Sequence, residues 1–104
     1  MEYTRQYVRY PTQREAFYCM YEQMSHKHEC TIINISRKGM GVVFNRRNGI
    51  QIGVSIRIEI PIATALESII VNGMVKWIDE TESSCLGGIE LSKELSDVKF
   101  SKLC

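Results

Sequence analysis

The stretch Thr31-Ile32-Ile33-Asn34-Ile35-Ser36-Arg37-Lys38-Gly39-Met40-Gly41-Val42-Val43-Phe44 places a polar turn between two apolar runs. Apolar runs on either side of a turn of this composition are typical of two consecutive strands. Asn34 and Ser36 lie two residues apart, so on an extended chain their side chains share one face. Gly39 provides either a left-handed turn or room for a group to approach the backbone. The stretch predicts a hairpin with hydrogen-bonding groups at its turn, although ordinary turns use the same residue types.

Further strands are predicted on both sides of this hairpin. The clearest is Val54–Ile62, where apolar residues alternate with polar residues and a proline. Such alternation indicates a strand with one buried face and one exposed face. The other predicted strands lie within residues 15–24, 28–34, 40–45, 67–78 and 85–91. Six short strands at this spacing predict a small antiparallel barrel or sandwich without a second domain.

Three further local features are predicted near the end of the chain. Residues 92–103 contain no glycine or proline and are predicted to form a C-terminal helix with Ser92 as its N-cap. Gly73 interrupts the fifth strand, which indicates a bulge or a tight bend at that position. The aromatic side chain of Trp77 is expected in the buried core, with a place beside a binding site as the less favoured alternative.

Composition limits the function classes that fit this chain. The 104 residues carry thirteen Lys and Arg against twelve Asp and Glu, a net charge of +1. General nucleic-acid binders are usually strongly basic, so an anion site here must be local. No apolar run is long enough to span a membrane, and the N-terminus lacks the apolar segment of a signal peptide. The four cysteines lack Cys-x-x-Cys spacing, which favours unpaired thiols and a cytoplasmic location.

A second motif lies near the N-terminus, where Arg5 and Arg9 are four residues apart. It belongs to the polar, cationic segment 1–11, which we interpret as a flexible arm, with residues 12–104 forming the barrel domain. An Arg-x-x-x-Arg motif followed 25 residues later by Asn-x-Ser-x-x-Gly resembles the PilZ domain family. Val75-Lys76-Trp77 and Gly88-Ile89-Glu90-Leu91 extend the resemblance over nearly the whole chain.

The resemblance implies both a fold and a ligand. PilZ domains are six-stranded antiparallel barrels with a C-terminal α-helix, and they bind the bacterial second messenger cyclic di-GMP. The ligand-contacting positions that match here are Arg5, Arg9, Asn34, Ser36 and Gly39. In this interpretation the arginines hold phosphate or guanine, the Asn34 oxygen accepts from guanine N–H groups, and Ser36 adds a bond to base or phosphate.

The expected function is therefore a non-enzymatic receptor or adaptor in the bacterial cytoplasm. Cyclic di-GMP would order the arm and change the surface offered to an unidentified downstream protein. No cofactor, metal, membrane or nucleic acid is expected to take part. The sequence leaves open a monomer or a homodimer, and one bound nucleotide or a stacked pair.

Three alternatives compete with this expectation. The barrel could bind single-stranded nucleic acid through Arg37, Lys38, Arg46 and Arg47, or it could be a ligand-blind module that docks a protein partner directly. The imidazoles of His26 and His28 and the thiol of Cys30 occupy alternate positions, but three ligands make an incomplete metal site, so a hairpin tip is favoured.

Overall fold

The computed structural model describes residues 8–45, 49–62 and 66–104. Its elements, in chain order, are β1 (Tyr10–Met20), a 3₁₀ turn (Tyr21–Gln23), β2 (His28–Ile35), β3 (Gly39–Phe44), β4 (Ser55–Ile62), β5 (Glu67–Glu80), β6 (Cys85–Leu91) and α1 (Asp97–Leu103). The strands form one closed barrel in the order β1-β2-β3-β6-β5-β4, with every neighbouring pair antiparallel. The predicted fold, a six-stranded antiparallel barrel with a C-terminal helix, is confirmed.

The barrel interior is filled by branched and aromatic side chains from alternate positions of the strands. In β4 the side chains of Ile56, Ile58 and Ile60 are fully buried, as the alternation of that stretch predicts. Tyr18 and Phe44 meet edge to face in the same core, with ring centroids 4.9 Å apart. Small barrels of this kind have an interior only wide enough for side chains, so a ligand must bind outside the core.

The first strand begins earlier than predicted. Tyr10 already pairs with Ile35, and Pro11 pairs with Asn34, so β1 continues into the segment that the sequence assigns to the arm. A proline in this place is compatible with the ladder because strand ends tolerate the missing N–H donor. The strand therefore brings the residues just before Tyr10 to the hairpin turn between β2 and β3.

The helix begins later than predicted, and Ser92 is not its N-cap. The cap is Ser96, whose Oγ accepts a hydrogen bond from the Lys99 backbone N–H at 3.2 Å. Residues 92–96 instead pass along the hairpin turn, because the Leu95 N–H donates to the Arg37 carbonyl at 2.7 Å. Both serines suit a cap chemically, but the Leu95 N–H, one of the donors that a Ser92 cap would bind, is already used by the Arg37 carbonyl.

The bulge predicted at Gly73 and the core position predicted for Trp77 are both wrong. The register shift lies between Val75 and Trp77 and not at Gly73, which faces inward. Gly73 is required for packing, since a Cβ there would lie 2.6 Å from the Glu90 carbonyl oxygen. Because the shift adds one residue after Val75, Trp77 points outward and its side chain is 41% exposed.

Side chains from elsewhere in the barrel hold the seven-residue helix in place. A helix this short is marginal by itself, and Leu103 is its only fully buried residue among those the structure describes. Arg14 donates to the carbonyls of Leu103 and Lys102 at 3.0 and 2.9 Å, which satisfies groups left open at a helix end. The ring of Tyr10 packs edge to face on Phe100. Within the described residues no helix is long and apolar enough to cross a membrane.

Stability should fall steeply in alkaline solution because of Cys30. Burial in the core raises the pKa of this thiol from 9.0 to about 12. Between these values the unfolded chain loses the thiol proton while the folded chain keeps it. The free energy of unfolding should therefore decrease by roughly 1.4 kcal/mol per pH unit from this residue. Urea unfolding at pH 8 to 11 measures how the free energy of unfolding changes with pH, and this slope should be smaller for Cys30→Ala. Equal slopes for the two proteins would contradict this assignment.

Candidate functional site

A β-bulge turns Asn34 to the outside of the barrel. Ile32 points into the core, and strict alternation along β2 would carry Asn34 inward as well. The register between β2 and β3 shifts between these two residues, so Ile33 is the extra residue. Asn34 therefore lies on the outer surface opposite Gly41, and Ile35 returns to the core. Bulges re-aim side chains in this way at many functional sites.

The side chains of Arg9 and Asn34 are hydrogen bonded to each other. Arg9 Nη1 donates to Asn34 Oδ1 at 2.8 Å, and the Gly41 backbone N–H donates to the same oxygen at 2.9 Å. Two donors at one atom identify it as the amide oxygen, and they occupy both of its lone pairs. The sequence interpretation has this oxygen accept from guanine, but in the structure it already accepts from Arg9 and Gly41. The amide nitrogen is therefore the group of Asn34 that remains for a ligand.

Ser36 holds the hairpin turn together from within. Its side chain is only 3% exposed. Ser36 Oγ accepts from the Gly39 N–H at 2.9 Å and from the Lys38 N–H at 3.3 Å. The Ser36 N–H in turn donates to the Gly39 carbonyl at 2.8 Å. A buried hydroxyl with two backbone donors shapes the turn, so its position is set by the fold and not by a ligand.

Gly39 provides space for the arginine. Only Gly49 and Gly53 have positive φ among the described glycines, so Gly39 is not a left-handed turn residue. A Cβ at Gly39 would lie 3.3 Å from Arg9 Nη2 and 3.6 Å from Ser36 Oγ. The guanidinium of Arg9 therefore lies close over this part of β3. Four of the five predicted site residues come together here, and Arg5 lies outside the described residues.

Two glycines and a tryptophan continue the site across the barrel. Asn34 pairs with Gly41, Gly41 with Gly88, and Gly88 with Trp77, so the four residues form one row across β2, β3, β6 and β5. We call it the Asn34–Trp77 row. Sequence reasoning did not assign Gly41 or Gly88 to the site and placed Trp77 in the core. No local pattern could have found the row, because two bulges and four strands create it.

The other cations of the turn are engaged within the protein. Arg37 pairs with Asp97 and lies 4.8 Å over the ring of Phe100. Lys38 Nζ donates to the Ser92 carbonyl at 3.3 Å. These contacts tie the turn to the start of α1 and leave less basic surface for the nucleic-acid alternative. Arg46 and Arg47, also named for that alternative, lie outside the described residues.

The metal alternative gains no support from the fold. Cys30 faces the core, and His28 packs on Tyr18 with ring centroids 5.2 Å apart. His26 lies in the exposed turn before β2. No group of three or more His, Cys, Asp and Glu side chains converges in the part of the chain that the structure describes.

Comparisons with known proteins agree with this architecture. The PilZ domain family model matches residues 3–103. The Bacillus subtilis inhibitor of motility (MotI/DgrA) is 21% identical, with a TM-score of 0.72 over 98% of this chain, which spans about half (49%) of that protein. The PilZ domain of YcgR from Escherichia coli, solved with c-di-GMP, is 14% identical, with a TM-score of 0.71 over 95% of this chain and 85% of its own. No curated protein matches.

Removing the Ser36 hydroxyl should destabilise the barrel. In Ser36→Ala the buried N–H of Gly39 loses its acceptor, which costs roughly 1–3 kcal/mol. Urea unfolding of the two proteins measures the loss. Ser68→Ala, at an exposed position of β5, is the control and should unfold like the parent protein. Equal stability of Ser36→Ala and the parent would show that the hydroxyl does not hold the turn.

Proposed function

The chain belongs to the PilZ domain family, and we propose that it is a non-enzymatic receptor for cyclic di-GMP. The observation that carries the proposal is the Arg9–Asn34 pair, held at 2.8 Å on the outer surface beside Gly39. It joins the two motifs of the family, which are far apart in sequence. Because the proposed ligand is a bacterial second messenger, the proposed location of the protein is the bacterial cytoplasm.

Arg9 suits both parts of this ligand. A guanidinium is a planar fork that can donate two parallel hydrogen bonds to guanine O6 and N7 or to phosphate oxygens, and it can also stack on a base. Such a contact forms at a lower cost when the fork is already oriented before the ligand arrives. The bond to Asn34 restrains the plane of the guanidinium, which lowers the entropy lost on binding.

Asn34 has two proposed roles: its oxygen orients Arg9, and its amide nitrogen donates a hydrogen bond to the ligand. Its oxygen accepts from Arg9 and from the Gly41 N–H, so reading a guanine N–H with that oxygen would require one of these bonds to open. The Nδ2 group is a donor and matches the acceptors of guanine or phosphate. This assignment differs from the sequence interpretation, in which the oxygen received the guanine donors.

Trp77 adds an aromatic surface to the far end of the Asn34–Trp77 row. Its indole is 41% exposed and lies against the backbone of Gly88. Stacking of a base on an aromatic side chain contributes roughly 1–3 kcal/mol and does not depend on base identity. Ser36 and Gly39 complete the site by shaping the turn and by leaving room for Arg9.

Signal output is proposed to pass through the arm. Arg5 would close over the nucleotide beside Arg9, so that the part of segment 1–11 that precedes β1 becomes ordered and presents a new surface to a separate downstream protein. Because β1 already begins at Tyr10, ordering would extend an existing strand end and would not require the barrel to rearrange. A ligand-blind interaction module remains the rival function, and it predicts no response to nucleotide.

Calorimetry with cyclic di-GMP tests the proposal. The parent protein should bind, and both Arg9→Lys and Arg9→Ala should bind about 5- to 150-fold more weakly, because lysine keeps the charge but lacks the planar fork. Arg57→Ala is a matched control, since Arg57 donates to Asn72 at 3.4 Å on β4 and β5, away from the site. Absence of binding by the parent would exclude the receptor function. An unchanged affinity of Arg9→Lys would show that Arg9 contributes only its charge and not the planar fork.

Arm ordering can be measured separately by hydrogen exchange. We expect amides of residues 2–9 to exchange rapidly without ligand and to become protected when cyclic di-GMP is added. The barrel amides of β4 should be equally protected in both states and serve as the internal reference. Identical exchange of the arm with and without bound nucleotide would refute the proposed route of output.

A further inference from the structure

Asn34 lies directly on the backbone of Gly41. A Cβ placed on Gly41 would lie 2.5 Å from Asn34 Nδ2 and 2.9 Å from both Cγ and Oδ1. These distances are shorter than the contacts that a Cβ carbon makes with nonbonded heavy atoms. The Asn34 amide can therefore occupy its observed place, between Arg9 and the Gly41 N–H, only if residue 41 has no side chain.

Trp77 has the same relation to Gly88. A Cβ on Gly88 would lie 2.0 Å from Trp77 Nε1 and 2.2 Å from Cε2, within the space that the indole occupies. Gly41 and Gly88 are direct partners across β3 and β6. The two glycines are therefore neighbours in adjacent strands. The side chain of Asn34, from β2, lies over Gly41, and the side chain of Trp77, from β5, lies over Gly88.

We propose that Gly41 and Gly88 are positioning residues of the nucleotide site, which fix how closely Asn34 and Trp77 lie on the sheet. This inference rests on the proposed function. Neither glycine has a positive φ, so a left-handed backbone does not require glycine at either position. The atoms that a new Cβ would meet belong to movable side chains, in contrast to Gly73, where it would meet a backbone oxygen.

The first test measures the Arg9–Asn34 contact without any nucleotide. A double-mutant cycle on urea unfolding, with Arg9→Ala and Asn34→Ala, gives the coupling between the two side chains. We expect coupling in the parent and none in the Gly41→Ala background. Val43→Ala, at the next outward position of β3, is the control background and should retain the coupling. Coupling that persists in Gly41→Ala would overturn the proposal for Gly41.

A rescue experiment addresses the case in which Gly41→Ala does not fold. If the new methyl group conflicts only with the Asn34 side chain, then Asn34→Ala in the same chain should restore folding. If the double variant also fails to fold, Gly41 is required by the strand itself and the positioning role is wrong.

The positioning role of Gly88 is tested by the fluorescence of the Trp77 indole. Trp77 is the single tryptophan of the chain, so its emission and its quenching by acrylamide report this site alone. Gly88→Ala should displace the indole, with a shifted emission and stronger quenching, whereas Ser68→Ala, at an exposed position near the start of β5, should change neither. Unchanged fluorescence of a folded Gly88→Ala variant would overturn the proposal for Gly88.

Titration with cyclic di-GMP then connects position to binding. Gly41→Ala should weaken affinity about 10-fold, and Gly41→Ala with Asn34→Ala should be no weaker than Asn34→Ala alone, because Gly41 acts through Asn34. Additive losses would contradict that route. If the parent binds no cyclic di-GMP, the receptor function fails, whereas the coupling and fluorescence measurements still decide whether the glycines position these side chains.

Discussion

Strict alternation of side chains is the constraint on which this structure depends. A closed barrel of six short strands has one narrow interior, and every second residue must fill it. The isoleucines of β4 satisfy this requirement without exception. The alternation is broken after Ile32 in β2 and after Val75 in β5, where one extra residue reverses the following side chain. Those two breaks turn Asn34 and Trp77 outward, at opposite ends of one row.

The same hairpin that carries Asn34 also anchors the C-terminal segment. The carbonyls of Arg37 and Lys38 accept backbone bonds from Leu95 and Leu91, both at 2.7 Å. The Arg37 side chain adds its contacts to Asp97 and Phe100. The signature turn therefore holds the candidate site on one side and the approach to α1 on the other. Its buried Ser36 hydroxyl supports both, which explains why a serine is needed there independently of any ligand.

The sequence predicted what depends on local patterns. The strand at residues 54–62 follows from its alternation, and the grouping of Arg9 with Asn34 follows from two motifs of a known family. The bulge after Val75 could not be predicted, because it is defined by how β5 pairs with β6, and the sequence of β5 alone does not give that register. The outward position of Trp77 was missed for that reason. The start of α1 was missed because Ser92 and Ser96 are equally suitable caps, and the long-range backbone bond from Leu95 to Arg37, which takes a donor from a Ser92 cap, leaves no local signal.

The use of asparagine at position 34 has an electrostatic consequence for the site. A carboxylate there would also accept from Arg9 and from the Gly41 N–H, and its bonds would be charge-assisted and stronger. It would at the same time neutralise the guanidinium before any ligand arrived. An amide oxygen restrains Arg9 through an uncharged acceptor and adds no negative charge beside the guanidinium. A carboxylate at position 34 would thus exchange stronger bonds to Arg9 for repulsion of the phosphates of the proposed ligand, so the two effects oppose each other and asparagine orients the fork without either.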